Sequence, residues 1–142
     1  MDETASQTDD SLQIAAIVVD DDSFALRFME KALGRFGVTQ VRTCLSGPEA
    51  LAAIGDMGDM HLLLIVDLNM PDMDGIEFLR QLARYRFRGA VLIHSGADTT
   101  VREAATKLVA AYGLDFLGTF VKPIPLDRLG AIITKMQGRK AG

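Results

Sequence analysis

Asp20, Asp21 and Asp22 follow one short apolar run, Asp67 follows a second, Ser95 a third and Lys122 a fourth. Gathered in one crevice, these groups have a definite chemistry. Several carboxylates side by side repel one another, and a divalent cation among them makes the arrangement tolerable. Mg²⁺ fits best, because it takes hard oxygen ligands, keeps some waters and commonly shares its shell with a phosphoryl oxygen. The short Asp side chain keeps each carboxylate close to its backbone, which favours a fixed octahedral shell. One carboxylate can also act as a nucleophile and form an aspartyl phosphate. The Lys122 ammonium and the Ser95 hydroxyl would then neutralise or hydrogen-bond the phosphoryl oxygens.

Other segments must bring these residues together. Ile14–Val19, His61–Val66, residues 90–94 and residues 116–121 are apolar without polar alternation, as expected of central strands buried on both faces. Residues 38–44 mix Val38, Val41 and Cys44 with Thr39, Gln40 and Arg42, which predicts a half-exposed edge strand. Phe24, Phe28, Met29, Ala32, Leu33 and Phe36 form an apolar helical stripe that Gly37 ends. Ser46 and Glu49 read as a capping box for a second helix carrying Ala50, Leu51 and Ile54. A third helix is predicted over residues 75–86, with Ile76, Leu79, Leu82 and Ala83 inward. Thr100 with Glu103 caps a fourth, on which Val101, Ala104, Ala105, Leu108, Val109 and Tyr112 recur at helical spacing. Leu126, Leu129, Ile132, Ile133 and Met136 mark a fifth.

Five strands alternating with five helices predict an α/β fold, with a parallel sheet, right-handed crossovers and helices on both faces. Ligands of such sheets bind outside the carboxyl ends of the strands, where Asp20, Asp21, Asp67, Ser95 and Lys122 fall.

The chain has 142 residues, 49% of them apolar, which suits one globular domain and excludes a two-domain enzyme within this length. Residues 1–11 carry four acids and no base and read as a disordered acidic tail preceding a domain over 12–142. Without that tail's four, the nineteen acids fall to fifteen, equal to the fifteen bases, so the formal charge of −4 belongs to the tail. The acidic start is the opposite of a signal peptide's basic leader, and no apolar run approaches the roughly 20 residues that span a bilayer. The single cysteine, Cys44, excludes an internal disulfide and fits a reducing compartment, so a cytoplasmic location is expected.

Four separated motifs occur in order: Val18-Val19-Asp20-Asp21-Asp22, Val66-Asp67-Leu68-Asn69-Met70-Pro71-Asp72-Met73-Asp74-Gly75, Ser95-Gly96 and Lys122-Pro123. Over residues 12–138 the chain thereby resembles the receiver domain of two-component response regulators. The resemblance implies a flavodoxin-like (βα)5 fold of strand order 2-1-3-4-5. It implies that Asp67 is the phosphoacceptor, charged by a histidine kinase or phosphotransfer protein. Asp21, Asp67 and the Asn69 carbonyl would bind Mg²⁺, with Asp20 acting through water. Ser95, Lys122 and backbone N–H groups near Leu68, Asn69 and Gly96 would contact the phosphoryl oxygens. Lys122-Pro123 would be a cis peptide, which proline makes inexpensive.

The implied protein is a signalling module of a phosphorelay that catalyses only its own phosphorylation and dephosphorylation. Its output is a downstream effector domain or protein, with phosphorylation-dependent dimerisation within its scope and neither nucleic acid nor membrane as a direct partner. The sequence departs from the family at Thr119, where an aromatic is usual three residues before the lysine. Phe120 follows one place later and should face the other side of its strand. That makes Thr119 an atypical switch position. Ile124 and Pro125 also stand where Phe is common, and Asn69 and Ala97 flank the phosphorylation site. Residues 113–124 resemble receivers joined to cyclic-di-GMP phosphodiesterase domains.

Other readings compete. A haloacid-dehalogenase-like phosphatase also uses a strand-end Asp with Mg²⁺, but it wants a second Asp two residues on, where Asn69 stands. A receiver-like interaction module with atypical switching is the alternative that Thr119 keeps open. Asp22 is better read as a helix cap than as a ligand. The Asp67 to Gly75 stretch is no EF-hand, because the sixth position would be Asp72 and not Gly. His61 and His94 lie in or beside buried strands without metal-ligand partners and read as structural. Arg80, Arg84, Arg86 and Arg88 complement a helix C-terminus better than they make a nucleic-acid patch.

Overall fold

The computed structural model describes residues 13–58, 61–71, 73–96 and 99–138. The tail at 1–11, Asp72 and Ala97 lie outside them. Five strands form one parallel sheet: β1 (Ile14–Val19), β2 (Gln40–Cys44), β3 (His61–Val66), β4 (Ala90–Ser95) and β5 (Asp115–Val121), in the spatial order β2-β1-β3-β4-β5. Five helices connect and follow them: α1 (Ser23–Arg35), α2 (Gly47–Met57), α3 (Gly75–Arg84), α4 (Thr99–Tyr112) and α5 (Leu126–Gly138). Asn69–Met70 and Met73–Asp74 add a two-residue antiparallel pair between β3 and α3.

Alternation along the strands divides the core in two. Ala15, Ile17, Val19, Leu64, Val66 and Ile93 pack with α2, α3 and α4, whereas Ala16, Val18, Leu63, Ile65 and Leu92 pack with α1 and α5. Ile17, Leu63, Leu64 and Leu92 are fully buried, each contributing about 1.5–3 kcal/mol by leaving water.

Local chemistry sets the helix ends. The Asp22 carboxylate accepts the Phe24 N–H at 2.9 Å, and Gly37 takes φ +88° just past the end of α1. Ser46 Oγ accepts the Glu49 N–H at 3.2 Å, while Glu49 reaches back to the Leu45 N–H at 2.8 Å, one residue beyond the usual box partner. Asp74 caps α3 by accepting from Ile76 and Glu77.

Several expectations need correcting. In the first turn of α1 the buried residue is Leu26, while Phe24 points to solvent; the stripe read by periodicity drifted there, although Met29, Ala32 and Leu33 are buried as expected. The third helix stops at Arg84, because Arg86 adopts φ +55°, which helical backbone cannot continue. Helix α4 starts at Thr99, so Thr100 lies inside the first turn instead of capping it, and Ala104 faces water. Strand β4 runs through Ser95, β2 begins only at Gln40 and β5 begins at Asp115. Nor is β5 a central strand: it closes one edge of the sheet and is half-buried along most of its length, since only β4 pairs with it.

Strand β5 also carries a bulge. Val91 pairs with Phe116 but Leu92 pairs with Gly118, leaving Leu117 as an extra residue, and Gly118 supports the kink at φ +137°. Gly89 is required for a different reason. A Cβ there would lie 2.6 Å from the Leu62 carbonyl oxygen and 2.5 Å from the Phe87 ring. Gly89→Ala is therefore expected to cost about 2 kcal/mol through overpacking, read as a lower urea midpoint at unchanged slope.

Candidate functional site

The sheet's hydrogen-bond ladder continues past the strands and fixes the site backbone. The Asp20 N–H donates to the Cys44 carbonyl at 3.0 Å, the Asp67 N–H to Val19 at 3.0 Å, and the Lys122 N–H to Ser95 at 3.3 Å. Three functional residues thus sit one position beyond β1, β3 and β5 on rigid supports.

Their side chains converge. Asp20 is 2% exposed, Asp67 4%, and Ser95 is fully buried, whereas Asp21 faces solvent. Carboxylate oxygens of Asp20, Asp21 and Asp67 lie within 4.8 Å of one another. Asp67 Oδ1 accepts the Asn69 N–H and the Ser95 hydroxyl, both at 2.8 Å. Asp67 Oδ2 accepts from Lys122 Nζ at 2.8 Å, and the same ammonium reaches Asp20 Oδ2 at 2.7 Å. Asp20 Oδ1 accepts the Asp22 N–H at 3.0 Å.

Burial pushes the Asp20 carboxyl above its ordinary range, and its bonds from Lys122 and the Asp22 N–H pull it back only in part. Burial would also lower the Lys122 ammonium, but its bonds to Asp20 and Asp67 outweigh that and hold it above the usual lysine value. The pair is therefore an ion pair, with the ammonium serving two carboxylates.

The structure brings Asp20, Asp21, Asp67, Ser95 and Lys122 into one cluster. Asn69 joins it through its backbone N–H, while its side chain is on the exposed surface. Gly96 follows β4 at the rim; its Cβ position meets open space, so packing places no demand for glycine there. The Lys122-Pro123 peptide is cis. Thr119 faces α4, where its hydroxyl lies 3.4 Å from that of Thr106. Thr106 spends its proton on the Arg102 carbonyl at 2.9 Å, so Thr119 is the donor between them. Phe120 packs on the opposite side with the Arg128 guanidinium 5.2 Å from its ring centre. Over Thr119 lies a hollow of about 360 Å³ bordered by Arg102, Glu103 and Lys107.

His94, expected to be structural, is tied to the segment just beyond Lys122. It is 4% exposed, and Nε2 accepts the Ile124 N–H at 3.1 Å. Burial lowers the imidazole to about 4; the Lys122 charge acts in the same direction and Asp67 opposes it. The available signal was a lone imidazole in an otherwise aliphatic strand run. His61 is half-buried at the opposite end of β3 from the cluster. A hollow of about 450 Å³ also lies at the amino ends of β3 and β4, beside Leu62, Arg86, Arg88 and Gly89. It is lined by none of the clustered carboxylates.

A parallel sheet of this order, with carboxylates and one ammonium at its carboxyl end, defines the class of doubly wound α/β domains that work at a strand-end crevice. The chain belongs to the response regulator receiver domain family, whose model matches residues 16–134. It is 30% identical over 124 residues to the cyclic di-GMP phosphodiesterase RocR of Pseudomonas aeruginosa, covering 87% of this chain and 31% of that protein. It is 38% identical over 119 residues to the two-component response regulator ARR11 of Arabidopsis thaliana, covering 84% of this chain and 22% of that one. The chain thus spans less than a third of the length of either relative. A response regulator structure from Colwellia psychrerythraea superposes with a TM-score of 0.72 at 29% identity, covering 91% of this chain and 99% of the other. No helix among the described residues is long and apolar enough to cross a membrane.

Proposed function

We propose that Asp67 accepts a phosphoryl group from a phosphohistidine of a histidine kinase or phosphotransfer protein. The observation that carries this is the grip on one buried carboxylate: Lys122 on Oδ2, with Ser95 and the Asn69 N–H on Oδ1. An Asp67 oxygen bonds to phosphorus, the phosphorus–nitrogen bond of the donor breaks, and the departing imidazole keeps that electron pair and takes a proton from water. Lys122 and Ser95 then follow the charge onto the phosphoryl oxygens, as does the backbone N–H of Gly96. Within the receiver domain itself, phosphorylation and hydrolysis of Asp67 are the whole of the chemistry.

The donor set fits Mg²⁺, since Asp20, Asp21 and Asp67 offer only hard oxygens within 4.8 Å of one another. Asp21, Asp67 and the Asn69 carbonyl would hold it, with Asp20 acting through water. The chemistry that Mg²⁺ supplies when bound is neutralisation of phosphoryl and carboxylate charge.

Partner docking has support at the rim. Phe24 is 70% exposed and borders, with Ala25, Phe28 and Pro123, an apolar hollow of about 370 Å³ beside Lys122. A donor domain seated there would present its histidine to Asp67. For output we infer a cyclic-di-GMP phosphodiesterase domain, supported by residues 113–124 and by similarity to RocR. A cytoplasmic address is supported only by the single cysteine, Cys44, which is free and buried.

Incubation with acetyl phosphate and Mg²⁺, followed by intact mass spectrometry, should show the mass gain of one phosphoryl group. No gain overturns the proposal. Lys122→Met supplies a further check. It leaves Asp20 and Asp67 facing each other without a counter-charge, at an expected cost of about 2 kcal/mol after allowance for the partly exposed ammonium. Mg²⁺ titration should raise the melting temperature of this variant more than that of the wild type, and EDTA should reverse the gain.

A further inference from the structure

We propose that His94 is a positioning residue that sets Lys122 by holding the backbone immediately beyond it. The proposal rests on the phosphoacceptor reading of Asp67. Lys122 must place one ammonium against two carboxylates at 2.7 and 2.8 Å, so small shifts of its backbone matter. Its own N–H is tied to the Ser95 carbonyl. The next residue, Pro123, has no N–H to offer. The first donor by which the chain can be tied again is that of Ile124, and it goes to His94 Nε2 at 3.1 Å. Consecutive residues of β4, His94 and Ser95, therefore grip both flanks of Lys122.

Ile124 is 1% exposed, so without His94 its N–H would be an orphaned buried donor, and the loop would shift to find another acceptor. Only a neutral imidazole protonated on Nδ1 can accept at Nε2. The pocket keeps it in that form: Phe24, Phe28 and Pro123 wall the hollow beside it, and the nearby Lys122 ammonium disfavours a second cation.

The test compares three substitutions by phosphorylation rate with acetyl phosphate and by Mg²⁺ affinity, at a temperature where circular dichroism shows each variant folded. The amide oxygen of Gln can reach the place of Nε2, that of Asn stops near Nδ1, and Phe fills the space with no acceptor. His94→Gln should stay within about threefold of wild type. His94→Asn and His94→Phe should slow phosphorylation about tenfold, without weakening Mg²⁺ binding, because the Asp cluster is untouched. Should His94→Asn not fold, His94→Phe against His94→Gln makes the same comparison. Equal rates for the acceptor and non-acceptor variants overturn the proposal, as does a parallel loss of Mg²⁺ affinity, which marks general damage. A wild type that forms no adduct overturns the acceptor reading and this one with it.

Discussion

Asp67→Asn is expected to abolish the phosphoryl adduct while leaving the fold intact. The amide keeps a carbonyl oxygen to accept from the Asn69 N–H and the Ser95 hydroxyl, which hold Oδ1 at 2.8 Å in the native chain. It has no anionic oxygen to attack phosphorus. Lys122 loses one partner but keeps Asp20 at 2.7 Å, and one of three mutually repelling carboxylates is gone. Urea denaturation should therefore place the variant within about 1 kcal/mol of wild type, with no mass gain from acetyl phosphate. An undiminished adduct on Asp67→Asn would falsify the assignment.

The second large effect is on stability against pH. His94 in the folded chain titrates at about 4, against about 6.5 for an unconstrained imidazole. Between these values the unfolded chain binds the extra proton, so stability falls as pH drops from 6.5 toward 4 and the loss is complete below 4. The difference corresponds to on the order of 3 kcal/mol, assigned to a side chain only 4% exposed. Lys122 and Asp67 are the charges that face it. The His94 component is isolated by subtraction: urea midpoints from pH 7 to 4 should fall more steeply for wild type than for His94→Gln. Parallel profiles would overturn it.

The alternation of the fold was legible because strands buried on both faces read as unbroken apolar runs, as Ile14–Val19 and His61–Val66 do. Site residues were legible because each stands at the end of such a run. What escaped is non-local. The bond from His94 to Ile124 spans 30 residues, and no pattern within either segment announces it. Residues 116–121 are as apolar as a central strand, and only the strand order shows that β5 has one neighbour. Phe24 fits the helical stripe as well as Leu26 does, and the exit direction of the chain from Asp22 decides which is covered.

The extra residue in β5 has a consequence for how such sequences are compared. Phe116 and Thr119 face the α4 side while Leu117 and Phe120 face the α1 and α5 side, although strict alternation from Phe116 would send Phe120 toward α4. Counting forward from the strand's start and counting back from Lys122 thus nominate different residues for the same place. Deleting Leu117 would restore strict alternation with Phe116 and Thr119 still together on the α4 side. The single extra residue at 117 is what turns a hydroxyl, and not the phenyl ring of Phe120, toward α4 while Phe116 keeps its place on the same side.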